Sequence, residues 1–237
     1  MDGVLIDARD WHYEALNRAL SLFGLEISRY DHLITYDGLP TKRKLEMLSR
    51  ERALPPALHE FISRMKQIYT LQIIHSRCKP RFSHEYALSR LHKEGYKIAV
   101  CSNSVRQTIE LMMAQACLLP YLDLILSNED VTKSKPDPEM YIKGAASLGL
   151  RPEQCLVIED NPKGIEAALA SGAHLLQVRG VDDVTYWAVR DRIVSIETGR
   201  PQALTAKLVV VGDDTTSTAP LGAGAVFRRG NIGAGHD

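Results

Sequence analysis

Lys97-Ile98-Ala99-Val100-Cys101, running into Ser102-Asn103-Ser104, is the stretch whose reading decides the fold. A short apolar run stopped by small polar residues, and preceded by a helical pattern over 83–94 that Gly95 closes, reads as a buried strand entered from a helix. The unit recurs downstream. Helical patterns over 106–116, 138–148 and 163–171 alternate with strand-like runs near 122–126 and over 155–158 and 174–178. This alternation predicts an α/β fold, a Rossmann-like parallel sheet with helices on both faces. Ligands of such sheets bind beyond the carboxyl ends of the strands, where backbone amides and helix N-termini lie open.

Upstream, the pattern is helical throughout. Trp11, Ala15, Leu16, Ala19, Leu20 and Phe23 recur at helical spacing before Gly24, and 42–50 and 56–74 repeat the periodicity. Residues 8–77 therefore read as an all-helical block, interrupted by the loop Tyr36-Asp37-Gly38-Leu39-Pro40-Thr41. Residues 1–7 and 78–187 are assigned to the α/β core, and 188–237 to a partly flexible tail rich in Gly, Thr and Ala near its end. Within 189–196 a strand and a helix end both fit. Pro220-Leu221-Gly222-Ala223-Gly224 lacks a strand–helix context and is assigned no ligand.

Composition narrows the function. The 237 residues are 45% apolar and 24% charged, enough for a core domain plus an inserted or appended one. Lys plus Arg and Asp plus Glu both total 29, so no global field draws the chain to nucleic acid or to an anionic membrane, and a small-molecule partner is expected. No run reaches the roughly 20 apolar residues of a membrane span. The four cysteines, Cys78, Cys101, Cys117 and Cys155, contain no C-x-x-C pair, which fits reduced thiols and a cytoplasmic location.

Polar clusters at the expected strand ends carry the chemistry. Glu159-Asp160 are adjacent carboxylates that repel unless a cation shares the site, and a hard, oxygen-preferring ion such as Mg²⁺ is the natural candidate. A helix cap, with Asn161-Pro162 opening the next helix, is the alternative reading of that pair. Ser102 can donate to a phosphate oxygen beside the helix starting near Arg106, or can itself be a cap. Lys135, stiffened by Pro136 and Pro138, suits an ammonium held against an anion, and equally a solvated loop lysine. Asp2-Gly3 is the fourth cluster.

Together, Met1-Asp2-Gly3-Val4-Leu5-Ile6-Asp7, Val100-Cys101-Ser102-Asn103, Lys135-Pro136-Asp137-Pro138 and Ile158-Glu159-Asp160 resemble the four ordered motifs of the haloacid dehalogenase superfamily. Gly164-Ile165-Glu166-Ala167-Ala168 and Ser171-Gly172-Ala173 are similar to the helix after the fourth motif in its phosphoglycolate-phosphatase and β-phosphoglucomutase branch. The likeness covers roughly residues 1–180. It implies a Mg²⁺-dependent phosphatase acting on a small phosphorylated metabolite such as a sugar phosphate, with 8–77 as the helical cap. It further implies that Asp2 is general acid and base and offers its carbonyl to the metal. Gly3, Ser102, Asn103 and Lys135 would hold phosphate, Lys135 would steady the nucleophile, and Glu159 and Asp160 would bind metal. His12, Thr41, Lys42 and Arg43 match the cap side of the substrate site.

The resemblance also implies something the written chain lacks. The family's nucleophile is the first Asp of Asp-x-Asp, which here would precede Met1, as a start codon misassigned to an internal Met would produce. The same missing segment would supply the central strand, between those ending at Cys101 and Ile158. Without it, buried backbone groups on both neighbours would go unpaired, at about 1–3 kcal/mol each. An alternative expectation is that Leu208-Val209-Val210-Val211 fills the gap and brings Asp213 or Asp214 near the vacated position. Two other functions stay open: a β-phosphoglucomutase-like phosphomutase, for which Lys42 and Arg43 beside Thr41 would serve as cap-loop bases, and a non-catalytic binding protein.

Overall fold

Two strands set the frame: β1 (Lys97–Ser102) is buried after its first residue and β3 (Cys155–Glu159) is buried throughout. Strands buried on both faces are the mark of a parallel sheet covered by helices. The computed structural model describes residues 1–36, 39–199 and 208–213. Asp37 and Gly38 of the expected loop, and Pro220 to Gly224, lie outside these residues. Within them the sheet has five strands in the order β2-β1-β5-β3-β4, with β2 Leu124–Leu126, β4 His174–Gln177 and β5 Leu208–Asp213. Every pairing is parallel.

Alternation along the strands divides the core. Ile98, Val100, Leu156 and Ile158 face one cluster with α5 (Phe82–Lys93), α6 (Arg106–Gln115) and α9 (Tyr186–Thr198). Ala99, Cys101, Cys155 and Val157 face the other, with α7 (Glu139–Ser147) and α8 (Pro162–Ser171). The N-terminal segment joins the first cluster through Met1, Val4 and Leu5, all fully buried.

The helical block has a core of its own. It comprises α1 (Arg9–Ser21), the single turn α2 (Arg29–Asp31) continuing as a wider turn over His32–Tyr36, α3 (Thr41–Arg52) and α4 (His59–Arg77). Leu16, Leu20, Ile27, Leu45, Leu48 and Ile62 meet in it. Asn17 fastens the chain after α1, donating to the Ile27 carbonyl at 2.8 Å and accepting from the Ile27 amide at 2.9 Å.

Two elements depart from the expected tail. Residues assigned to it from 188 onward include most of α9, whose Val189, Ile193 and Ile196 pack into the main cluster at helical spacing. Arg190, Asp191 and Arg192 interrupt that apolar pattern in the sequence and conceal its period. The second is β5, which takes the central slot that the resemblance gave to a strand before Met1. Its pairs run from Lys97 with Leu208 to Ser102 with Asp213 on one side, and from Cys155 with Leu208 to Ile158 with Val211 on the other.

Asn17→Ala removes both bonds to Ile27 and should cost about 1–3 kcal/mol. Thermal unfolding followed by circular dichroism should show the lower midpoint, with Asn17→Asp, which retains the acceptor, falling between.

Candidate functional site

The first six residues form a tight turn that fixes Asp2 at the carboxyl rim of the sheet. The Met1 carbonyl accepts from the Val4, Leu5 and Ile6 amides at 3.2, 2.8 and 3.1 Å, and the Gly3 amide donates to the Ile6 carbonyl at 2.7 Å. Gly3 has φ +71°, and a Cβ there would lie 2.0 Å from an Asp160 carboxylate oxygen. The turn thus requires glycine twice over, for its left-handed backbone and for the close approach of Asp160. Asp2 and Asp160 in consequence share one rim.

Beneath that rim lies a buried ion pair. Lys135 Nζ is 2.8 Å from Glu159 Oε1, both side chains are fully inaccessible, and Nζ also donates to the Cys101 carbonyl at 3.0 Å. Tyr141 donates its hydroxyl to the same Glu159 oxygen at 2.5 Å, and its ring lies 4.7 Å from the ammonium. Burial alone would raise the Glu159 carboxyl. The charges of Lys135 and of the Met1 amino group, with the bonds from Lys135 and Tyr141, outweigh burial and hold it below the usual carboxylate range. Helix α8 passes directly over it, since a Cβ on Gly164 would stand 2.2 Å from the Glu159 carboxyl. Asn103 ties the lysine loop to the end of β1, its Oδ1 accepting from the Lys135 amide at 3.3 Å. Ser102 is fully buried, and its Oγ accepts from the Ser104 amide at 3.1 Å.

Above the rim, a cleft of about 580 Å³ opens between these strand ends and the helical block, with Asp2, Gly3, Asn103 and Asp160 on one wall. His12, Thr41, Lys44 and Lys66 line the other. His12 Nε2 is 3.0 Å from Asp2 Oδ2, and Lys66 Nζ is 3.5 Å from His12 Nδ1. Burial lowers the Lys66 ammonium to about 8, against the opposing pull of the Asp2 charge. Gln67 donates to the Thr108 hydroxyl at 2.8 Å and so ties α4 to α6 beside the cleft.

Of the residues singled out in the sequence, Asp2, Gly3, His12, Thr41, Asn103 and Asp160 line the cleft, Ser102, Lys135 and Glu159 lie buried beneath it, and Lys42 and Arg43 stand outside it. Lys42 and Arg43 are exposed and do not line it, and Arg43 pairs with Glu46 at 3.3 Å on the outer face of α3. One helical step carries Lys44 into the cleft instead. Glu159, expected as a metal ligand, directs its Oε1 to Lys135 and Tyr141. Lys44 and Lys66 were not anticipated. Ser63, Lys66, Gln67 and Thr70 form a polar stripe at helical spacing along α4, and that stripe is the signal that could have found Lys66.

Among the described residues, no group of three or more His, Cys, Asp or Glu side chains is arranged to hold a metal ion. Asp2 and Asp160 nevertheless offer an oxygen-only donor set at one rim, and Asp160 is seated against the Gly3 backbone. That chemistry fits a hard divalent cation. Arg9, half exposed, stands 3.9 Å from Asp160 on the solvent side.

A parallel sheet covered on both faces, with carboxylates, a buried lysine and a serine gathered at its strand ends, defines a Rossmann-like enzyme core. More narrowly, the chain belongs to the haloacid dehalogenase-like hydrolases, whose family model matches residues 1–178. It is 27% identical over 172 residues to a phosphoglycolate phosphatase of Aquifex aeolicus, covering 73% of this chain and 78% of that protein. It is 26% identical over 172 residues to a phosphorylated carbohydrates phosphatase of Thermotoga maritima, covering 73% and 79%. The fold resembles the crystal structure of a β-phosphoglucomutase from Clostridium difficile, with a TM-score of 0.68 at 19% identity over 82% of this chain and 94% of that one.

Lys135→Met strands the Glu159 carboxylate in the interior and should cost about 3–5 kcal/mol. Adding Glu159→Gln to it removes the orphaned charge and should recover much of that loss. Denaturant titration of the two single variants and the double variant measures the coupling, and additive losses would show that the pair does not act as one unit.

Proposed function

We propose that this chain is a Mg²⁺-dependent phosphatase that hydrolyses monoesters of small phosphorylated metabolites, sugar phosphates foremost. The observation that carries the reading is the convergence of Asp2, Asn103 and Asp160 on one cleft wall, directly above Ser102 and the buried Lys135. Ser102 and the loop of Asn103 would hold the phosphoryl oxygens, beside the N-terminus of α6. Asp2, oriented by His12, would donate its proton to the leaving alkoxide and then accept one from the attacking water. Lys135 would place a positive charge under the reacting carboxylate and phosphoryl group. The Asp2 carbonyl and the Asp160 carboxylate would hold Mg²⁺, which when bound neutralises charge on the phosphoryl oxygens. The helical block would act as the cap, with Thr41, Lys44 and Lys66 facing the rest of the substrate. Four free cysteines fit a reducing, cytoplasmic setting. Among the described residues no helix is long and apolar enough to cross a membrane.

Lys44 is the specific observation behind a phosphomutase reading, since a cap-side base in the cleft could re-present a sugar phosphate. Products separate the two readings: inorganic phosphate for the phosphatase, an isomeric sugar phosphate for the mutase.

The full chain with Mg²⁺, offered sugar phosphates, phosphoglycolate and nucleotides, should release inorganic phosphate, and a chelator should stop it. Asp2→Asn should lower turnover by about 10²–10⁴-fold, the usual contribution of a positioned acid–base group. Absence of release across this panel would overturn the phosphatase reading.

The Lys66 value gives a pH dependence. Lys66 is charged below about 8 and neutral above it, so its support of the His12–Asp2 contact should fade as pH rises through 8. Turnover should fall over that interval in the unmodified chain, and the alkaline limb should be missing in Lys66→Met.

A further inference from the structure

We propose that His32 and Lys44, on the wall that the helical block gives to the cleft, form a subsite for a second anionic group of the substrate. The substrate class is then phosphate monoesters that carry a carboxylate or a further phosphate at the end away from the reacting one. The inference rests on the phosphatase reading above and narrows its substrate.

Packing carries the argument. His32 is only 3% exposed and still lines the cleft, so its ring is part of the cleft wall and shielded from bulk solvent. It opens the wide turn over His32–Tyr36, in which only the two end residues are buried. Tyr36 anchors the far end in the core of the block, and its hydroxyl donates to Glu51 at 2.7 Å. At the near end the Tyr13 ring packs on His32 with centroids 4.5 Å apart. Tyr13 is in turn held by its hydroxyl bond to the Ile27 carbonyl at 2.9 Å and by the Arg29 guanidinium 5.2 Å from its ring centre. An imidazole fixed in this way is oriented before any ligand arrives, as a recognition group requires.

Charge is the independent observation. The acidic residues of the cleft lining, Asp2, Asp7, Glu129 and Asp160, come from the N-terminal segment and the α/β core. Among the described residues, the helical block lines the cleft with Arg9, Lys44 and Lys66 and with no carboxylate. Burial, then the charges of Lys44, Arg29 and Arg9 against that of Asp10, lower the His32 imidazole to about 4. The ring is therefore neutral at physiological pH and lies where cations outweigh anions. A neutral imidazole keeps an N–H to donate, and the ammonium supplies charge. An anion placed between them meets both, whereas a neutral hydroxyl would strip water from the Lys44 ammonium and offer no charge to replace it. A cleft of about 580 Å³ leaves room for several carbons between this corner and the strand-end rim.

The subsite takes no part in making or breaking bonds. With the reacting phosphate at the rim and the second anion at His32 and Lys44, the substrate is fixed at both ends, and a monoester with a neutral far end loses one of the two. The preference should thus appear in kcat/KM more than in kcat. Lys42, two residues earlier on α3, is exposed and stands outside the cleft, so it carries the same charge without that placement.

Matched substrates test this with the full chain and Mg²⁺. Fructose 6-phosphate against fructose 1,6-bisphosphate probes a second phosphate, and glucose 6-phosphate against 6-phosphogluconate probes a carboxylate. In at least one pair the doubly anionic member should have the higher kcat/KM by about tenfold or more, the contribution of one charge-assisted hydrogen bond. Lys44→Met should remove most of that ratio, Lys44→Arg should retain it, and Lys42→Met should leave it as it is. His32→Leu should reduce it too, and Lys44→Met decides the matter even if the His32 variant fails to fold. Thermal-shift titration with the same four compounds and a chelator reads binding apart from turnover. There the favoured doubly anionic compound should raise the midpoint more than its neutral-ended partner in the unmodified chain, and not in Lys44→Met. Ratios near one in both pairs, or a ratio that survives Lys44→Met, would overturn this assignment and leave the phosphatase reading standing. A chain that shows the midpoint difference and releases no phosphate would overturn the phosphatase reading and keep the subsite, and a chain that shows neither would overturn both.

Discussion

β1 and β3 are each buried on both faces, and each presents a row of backbone amides and carbonyls toward the other across a gap one strand wide. An amide left unpaired in that interior costs about 1–3 kcal/mol, and two strands offer many. The slot must therefore be filled by a strand in parallel register. β5 fills it, and every later feature of the site depends on that placement. With β1 and β3 held at this spacing, their carboxyl ends stay level, and Ser102, Lys135 and Asp160 meet at one rim instead of splaying apart.

Charge follows from the same geometry. Lys135 and Glu159 have no water to solvate them, and neither is tolerable alone in the interior. Their 2.8 Å contact, with the Tyr141 hydroxyl and the Cys101 carbonyl completing the hydrogen bonds, makes the pair admissible and fixes its position. A fixed ammonium below the rim and acidic residues above it form a charge gradient along one line, suited to a dianionic phosphoryl group with a cation. Lys135 and Tyr141 both meet Glu159 at Oε1, which fixes the orientation of that carboxylate. Above that pair, Gly3 lets the Asp2 turn and the Asp160 carboxylate approach one another.

Local patterns in the sequence carry most of the α/β alternation, because buried strands and amphipathic helices each write their own period. The strand over 97–101 and the helix over 106–116 recur in the structure within a residue at each boundary. The clustering of Ser102, Asn103, Lys135 and Asp160 at one rim was legible because polar side chains at strand ends have few other reasons to recur. Less legible were features set by pairing at long range. The sequence distance from β3 to β5 is spanned by α8, β4 and α9, and no period within 208–213 states which slot the strand will take. Which of Thr41, Lys42, Arg43 and Lys44 enters the cleft is decided by the rotation of α3, a phase that loop composition does not fix. Lys66 was hidden for a similar reason, since a lysine on an amphipathic helix ordinarily faces solvent.

The helical block contributes more than a wall. Asp2 belongs to the N-terminal turn packed on the sheet, His12 to the first turn of α1 and Lys66 to the middle of α4, and their contacts run in series from the rim into the block. Any displacement of α1 or α4 relative to the sheet stretches the His12 contact to Asp2 and changes the setting of that carboxyl. Gln67, one residue from Lys66, meets Thr108 on α6 and so constrains the same displacement. The position of the block and the setting of the Asp2 carboxyl are consequently coupled through two adjacent residues of one helix. On the phosphatase reading proposed above, a substrate that bridges Lys44 and the strand-end rim would draw the block onto the sheet and hold Asp2 in place in the same motion, so binding of the remote part of the ligand would be converted into orientation at the reacting end.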